Sequence, residues 1–488
     1  MISNNRQKIN NERSQLGFST LEILLAMTLL IFAFSGAVSA LSGNQSLGVD
    51  SQTNGEALRM GQMELDNAQA RARSSFFAIN STPESVDDIY TKKLKVEWID
   101  DYVKKIKSRV SWESGTRRGQ SLELETLVTS PENALRGDTC DPDPSGDWQH
   151  PKLMGYVDIV NNEGATGIDT RLRKVYLTTD PSATAEPDFY VIDTADPSHP
   201  VIESQLNTGN GLMAVKVIGN YAYAANRSIN GQLQVIDVSD PAAPVVKKTF
   251  KVPGVTGTGG GGYGKSIFFR DGIIYLGLTK TATGPEFNMI DVSNPLNPRY
   301  LGGWQAKTQV NDIYIKDNIA YLATPQPNPS TPQKENLSVL DISDPGNIIR
   351  INTFTAADAT MQNGESLFFD EDMAYFGRSY GGSHYGDQNK KELYVLNVAD
   401  PFNISVLGSR KISGGINASI IRSDLLFVIT SDSNAGFQIW DIGDLSNINQ
   451  CASLDVEQTI TGGMDCEENL LYIAQSGNRA MQIIGPGD

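Results

Sequence analysis

A handful of residues in this 488-residue chain could do chemistry, judged by type and spacing. Glu22 stands at the head of an apolar run, "GFSTLEILLAMTLLIFAFSGAVSAL", from Gly17 to Leu41. A carboxylate in such a place is costly in a bilayer and calls for a partner. "GGGGYGKS", Gly259 to Ser266, matches the phosphate-cradling pattern G-x-x-x-x-G-K-[ST]. That chemistry needs a strand before the glycines and a helix N-terminus after them, whereas "KSIFFRDGIIYLGL" reads as two strands. Nucleotide binding is therefore not expected. Asp141 and Asp143, in "DPDPSGD", place carboxylates at alternate positions, as at the start of a calcium loop. The twelfth position of that loop is Lys152, not a glutamate, so a plain Asp-Pro turn is the competing reading. The histidines, His150, His199 and His384, have no zinc-like spacing, and no Ser-His-Asp arrangement can be argued. His384, with Arg378 and Tyr385, is the one non-repeating cluster that hints at an enzyme.

Composition narrows the field. A formal charge of −17 argues against nucleic acid as a partner. The length implies two or more domains, and the 45 glycines, with many Tyr, Val and Ile, point to strands and turns. Three cysteines allow one bridge and one free thiol. Cys451 and Cys466 form the expected pair, from turns on one face of neighbouring repeats, and Cys140 is the competing partner.

The elements that must carry these residues start with the apolar run. Ile23 to Leu41 is 19 residues, about 28 Å as a helix, enough to cross a bilayer. Arg6, Lys8 and Arg13 before it keep that end in the cytoplasm. A secretory signal cut within "SGAVSAL" is the alternative reading. Gly17, Phe18 and Glu22 together, in "GFSTLE", resemble the type IV prepilin signature. The resemblance implies cleavage after Gly17 by a prepilin peptidase, methylation of the new N-terminal Phe18, and retention of residues 18–41 as transmembrane and then filament-core helix. It also implies that Glu22 is the assembly contact, pairing with the amino group of a neighbouring pilin subunit. Near-helical spacing of Leu58, Met60, Met63, Leu65 and Ala68, then alternation at Val96 and Trp98, Val110 and Trp112, Leu122 and Leu124, resembles the helix and compact sheet of minor pilins and pseudopilins.

From about residue 150 a repeat takes over. "FYVIDTADPSHPVIES", "LQVIDVSDPAAPVVKK" and four further segments align on Asp193, Asp237, Asp291, Asp341, Asn397 and Asp441, at intervals of 44, 54, 50, 56 and 44 residues. Each is preceded by an aromatic-rich strand such as "YAYAAN" or "IIYLGLT". Four strands per period is the spacing of a propeller blade. The Asp-(Val/Ile)-Ser-Asp-Pro core resembles the LVIVD repeat of bacterial surface propellers. Its aspartates recur in every blade, so they read as turn-builders. The last blade lacks an outer strand that "HPKLMGY" (150–156) can supply.

The expected fold is thus an N-terminal transmembrane or pilin α-helix with a small antiparallel sheet (α+β), then an all-β seven-bladed β-propeller closed by N- and C-terminal strands. The expected boundaries are 1–17 leader, 18–41 helix, 42–130 pilin-like domain, 131–149 linker and 150–488 propeller. The function implied is that of a tip-located minor type IV pilin presenting a propeller for adhesion. It is not an enzyme and needs no cofactor. Its partners are other pilin subunits, the peptidase, the inner-membrane assembly platform and an extracellular ligand. The chain is held in the inner membrane before assembly and lies in the pilus afterwards. A type II secretion pseudopilin engaging cargo, or a filament-displayed enzyme, are the alternatives.

Overall fold

The computed structural model describes residues 49–75, 79, 81–100, 103–113, 119–129, 140–159, 164–180, 185–257, 261–325, 336–356, 362–380, 390–456, 462–477 and 479–487. The chain divides into two compact units, Met1–Ser130 and Pro131–Asp488.

In the first unit, helix α1 (Val49–Ser75) lies on an antiparallel sheet of β1 (Ser85–Asp87), β2 (Tyr90–Asp100), β3 (Val103–Glu113) and β4 (Gly119–Thr129), in that order. Ala57, Gly61, Leu65, Ala68 and Ala72 are buried, a stripe at three- and four-residue spacing, with buried Met60 beside them. Leu58 and Met63 fall on the flanks of that stripe and are exposed, which corrects the expected helix face. A Cβ on Gly61 would meet Leu124 at 3.0 Å, so glycine lets the helix settle onto the sheet. Strand β3 alternates, with Ile106, Val110 and Trp112 inward. Lys104 shares that inward face. Its Nζ donates to the Ile79 carbonyl at 2.9 Å, and burial lowers its pKa to about 8. No helix among the described residues is long and apolar enough to cross a membrane. Gly17, Phe18 and Glu22, with the whole apolar run, lie outside the described residues.

In the second unit the described residues form seven four-stranded antiparallel sheets. The first holds Ala165–Arg171, Lys174–Thr179, Phe189–Asp193 and Val201–Leu206. Five more repeat this meander, starting at Leu212, Gly264, Asp312, Gln362 and Ile416. The seventh joins Met464–Glu467, Leu470–Ala474 and Met481–Gly487 to β5 (Asp147–Val157) from the other end of the unit, with Met481 opposite Val157 and Ile483 opposite Gly155. The first strands touch in succession, and that of the seventh sheet touches that of the first. Ile168 and Leu177 accordingly share a buried cluster with Tyr472, Ala474 and Ile483.

Burial falls from inside outward. Second strands such as Tyr221–Asn226 are buried continuously, because a sheet stacks against each of their faces. Fourth strands such as Val245–Phe250 alternate, because one side meets water. Adjacent sheets are also tied by cations ending the first strands. Arg171 donates to Gly219 O at 3.0 Å, Arg270 to Ile315 O at 2.8 Å, and Lys316 to Glu371 O at 2.7 Å. Each acceptor lies in the next sheet.

Two edges of every sheet differ in chemistry. One carries the tight turns between strands one and two and between strands three and four, and is called here the turn edge. The first of these turns needs left-handed backbone, as at Asp271, Asp317, Glu371, Ser423 and Glu468. The other edge, the loop edge, carries the longer connections.

Candidate functional site

The repeat aspartates build the turn edge. Asp237 Oδ1 accepts from Ser239 N at 3.0 Å, Asp291 from Ser293 N at 2.9 Å, and Asp341 from Ser343 N at 2.9 Å. Three residues on, Asp240, Asn294 and Asp344 do the same for Ala242, Leu296 and Gly346. These are tandem Asx turns, repeated from sheet to sheet. His199 belongs to one of them. Its Nδ1 lies 2.9 Å from Ser198 Oγ and 3.1 Å from Asp196 Oδ2. One nitrogen facing both partners cannot relay a proton between them, so this is not a catalytic triad. His150, exposed on strand β5, likewise pairs through Nδ1 with Asp147 at 2.6 Å, and holds that carboxyl below its usual range.

Asp141 Oδ1 accepts from Asp143 N at 3.1 Å, an Asx turn of the same kind. Among the described residues no group of three or more His, Cys, Asp or Glu is placed to hold a metal ion. The glycine-rich stretch is absorbed by packing. Gly264 opens a strand, not a helix, and a Cβ there would meet Gln232 O at 2.4 Å. Ser266 Oγ donates to Val310 O at 3.0 Å, and Gly262 N to Thr279 Oγ1 at 2.9 Å.

The expected pairing of Cys451 with Cys466 is corrected: Cys466 is bonded to Cys140, with Cα atoms 5.2 Å apart, and Cys451 is free. Neither Cys451 nor Cys466 is in a turn. Cys466 is on the innermost strand of the seventh sheet, and Cys451 is on the outermost strand of the sixth, at an irregularity opposite Ile439 and Trp440. Cys140 reaches Cys466 because the entering chain pairs in parallel with Glu468, and Asp141 N donates to Glu468 O at 2.7 Å. Residues 140–146 then cross the sheet to its outer edge, where β5 begins at Asp147. The propeller therefore starts before the expected boundary at 150.

At the loop edge most buried polar groups also recur. Asp188, Gln232, Glu286 and Glu392 each immediately precede a third strand and are almost wholly buried. Their side chains accept the backbone N–H of Thr208, Val252, Lys307 and Ile412 at 2.7, 3.0, 3.0 and 2.7 Å, pinning the loop to the next sheet. Arg378 sits in a second such register. It donates to Lys391 O at 3.0 Å, as Thr179 does to Pro187 O, Asn226 to Gly231 O and Thr430 to Ala435 O. Arg378 is thus a loop-closing donor. His384 and Tyr385 lie outside the described residues.

One register does not recur in chemistry. In five first strands the pairing shifts between Ala165 and Gly167, Leu212 and Ala214, Gly264 and Ser266, Gly364 and Ser366, and Ile416 and Ala418. Each bulge leaves one unpaired residue at the loop edge: Thr166, Met213, Lys265, Glu365 and Asn417. Asn311 and Gly462 stand at the corresponding places in the fourth and seventh sheets. A bulge re-aims the side chain it carries. All six side chains are half-buried. Asn311 Nδ2 donates to Glu365 Oε2 at 2.8 Å, Gln309 Nε2 to Asn311 Oδ1 at 2.7 Å, and Ser379 Oγ to Glu365 Oε1 at 2.6 Å. Burial raises the Glu365 pKa, opposed by Ser379 and by the field of Lys265. The residues before and after this position are apolar or small except Asp312 after Asn311, so sequence periodicity alone gives it no prominence.

With this geometry in place, comparison places residues 212–252, the second sheet and its flanks, in the LVIVD repeat. Among solved structures, a catalytically inactive variant of virginiamycin B lyase from Staphylococcus aureus, crystallised with quinupristin, is 12% identical, with TM-score 0.45, covering 69% of this chain and 99% of its own. The WD40 β-propeller domain of Doa1 is 11% identical, with TM-score 0.47, covering 70% and 98%. No curated protein matches. The seven meanders and the repeat make the second unit a β-propeller.

Proposed function

We propose that this chain is a minor type IV pilin whose seven-bladed, ring-closed propeller binds an extracellular ligand and so serves adhesion. The prepilin peptidase cuts between Gly17 and Phe18, Phe18 is methylated, and residues 18–41 pass from the inner membrane into the filament core with Glu22 as assembly contact. A body of this bulk is placed at the filament tip. The observation that carries the reading is the order of parts: the "GFSTLE" apolar run leads into a helix-on-sheet unit, and that into a separate propeller. A non-catalytic role is in keeping with the recurrence of the buried polar residues, which marks them as scaffold.

Immunogold labelling of sheared surface filaments with an antibody to the propeller tests this, in wild-type cells and in a Glu22→Ala strain. Label at filament ends that disappears in the variant is expected. Label confined to the cell envelope in both strains overturns the pilin reading.

A further inference from the structure

The non-repeating register at the loop edge is where this propeller departs from its own scaffold. Most other buried polar groups on that edge have the same job in several sheets. Here the side chains are Thr166, Met213, Lys265, Asn311, Glu365 and Asn417, one per sheet, carried on first strands that touch in succession. Glu365 and Asn311 are held in place by Ser379 and Gln309. Lys265 is half-buried and has no hydrogen bond or ion pair among the described residues. Its charge bears on Glu365, whose ionised form it favours.

We infer that this ring is a binding site for an acidic sugar, with Lys265 on the ligand carboxylate and Asn311, Glu365, Asn417 and Thr166 on its hydroxyls. The inference rests on the propeller being the ligand-binding part of the chain. Asn311 spends both amide N–H groups, on Gly364 O and on Glu365, and the Thr166 hydroxyl donates to Leu212 O, so the ring offers its remaining oxygens as acceptors, which match the donating hydroxyls of a polyhydroxylated ligand. A single lysine beside a glutamate, in a chain of charge −17, suits one carboxylate and not a polyphosphate. A peptide would need apolar anchors, and Met213 is the ring's one apolar side chain.

Calorimetry on the full chain in detergent, at low and at physiological salt, tests the site with tetragalacturonate, a hyaluronate tetrasaccharide and 3′-sialyllactose. The comparator is the carboxyl-reduced, neutral form of each. At least one acidic sugar is expected to bind about tenfold or more tighter than its neutral form, with salt weakening the difference. Lys265→Gln removes that preference. Glu365→Gln strengthens acidic binding, because a like charge is gone, which a purely structural role for Glu365 does not produce. Equal binding of acidic and neutral forms, no binding of any probe, or an acidic preference that survives Lys265→Gln overturns the inference. Adhesion of cells carrying Lys265→Gln is scored in parallel. Adhesion that needs the chain but ignores Lys265 sinks this site and leaves the adhesin reading standing. Adhesion unchanged by deleting the chain sinks that reading itself.

Discussion

Six sheets of the propeller are each made from one continuous stretch, and the seventh is assembled from two distant ones. The six are nearly self-specifying: a two-residue turn, a loop and a tandem Asx turn set the order of strands within some 45 residues. The seventh has no tandem Asx turn of its own, because its third and fourth strands are not joined by chain. What replaces that turn is a set of contacts absent elsewhere. Cys140 is bonded to Cys466, a separation of 326 residues. Arg422 Nε donates to Asp141 O at 2.6 Å, Asn469 Nδ2 to Ser145 O at 2.9 Å, and Trp148 packs edge-on against Phe427 at 4.9 Å. Local sequence closes a sheet cheaply, and a covalent bond is the device used where the chain cannot.

The largest effect is expected from breaking that device. Cys140→Ser should lower propeller stability by on the order of 5 kcal/mol, the loop being long. Hydrogen exchange of the seventh-sheet peptides should rise first, before that of the other six. Uniform exchange across all seven sheets would mean that the bridge does not hold the closing strand in particular. Next comes Glu392→Ala, which strips a partner from Lys411 (2.7 Å) and orphans Ile412 N, buried in the connection between the fifth and sixth sheets. A loss of about 3 kcal/mol is expected in thermal melts. Asp341→Ala should cost only about 1 kcal/mol, and Asp237→Ala about the same, since each opens one turn among six alike. Chemical denaturation of the two variants checks that equivalence.

The seam beside the seventh sheet offers a pH test. Burial raises Asp169 to about 7 even though Lys216 lies 2.6 Å away and Val217 N donates to it at 2.7 Å. The folded protein thus holds that proton across a window in which the unfolded chain, with its ordinary carboxyl pKa near 4, has released it. Stability from this group is present at low pH and lost as pH rises from about 4 through 7. Asp169→Asn should reduce that slope in melts taken across the window, leaving the share of Asp312, whose carboxyl burial also raises to about 7. Smallest of all, Cys451→Ser should leave stability within about 0.5 kcal/mol of wild type. A drop matching that of Cys140→Ser would restore Cys451 as the bridging partner.

Much of this was legible in the chain. The Asp-Pro motifs announced the turns, the aromatic runs announced the second strands, and "HPKLMGY" announced β5 by its likeness to outer strands. Each is a local pattern whose physical cause is local. The helix face was legible only in part, because Leu58 and Met63 sit within a step or two of the buried stripe, and the sheet, not the helix, sets the stripe's width. The cysteine pairing failed for a different reason. Repeat register gave a face to Cys451 and Cys466 but could not give the path of residues 140–146, which have no counterpart in the repeat. The ring of Thr166, Lys265, Asn311, Glu365 and Asn417 was equally hidden, since its members look like ordinary variation at strand starts until bulges in successive sheets bring them to one edge.

Sequence by itself therefore determined the repeat, its four-strand period, its turn chemistry and the apolar segment headed by Glu22, all set by spacings within a few tens of residues. Tertiary structure alone decided which sulfur meets Cys466 and which unlike side chains stand together on the loop edge, because both depend on bringing distant strands side by side.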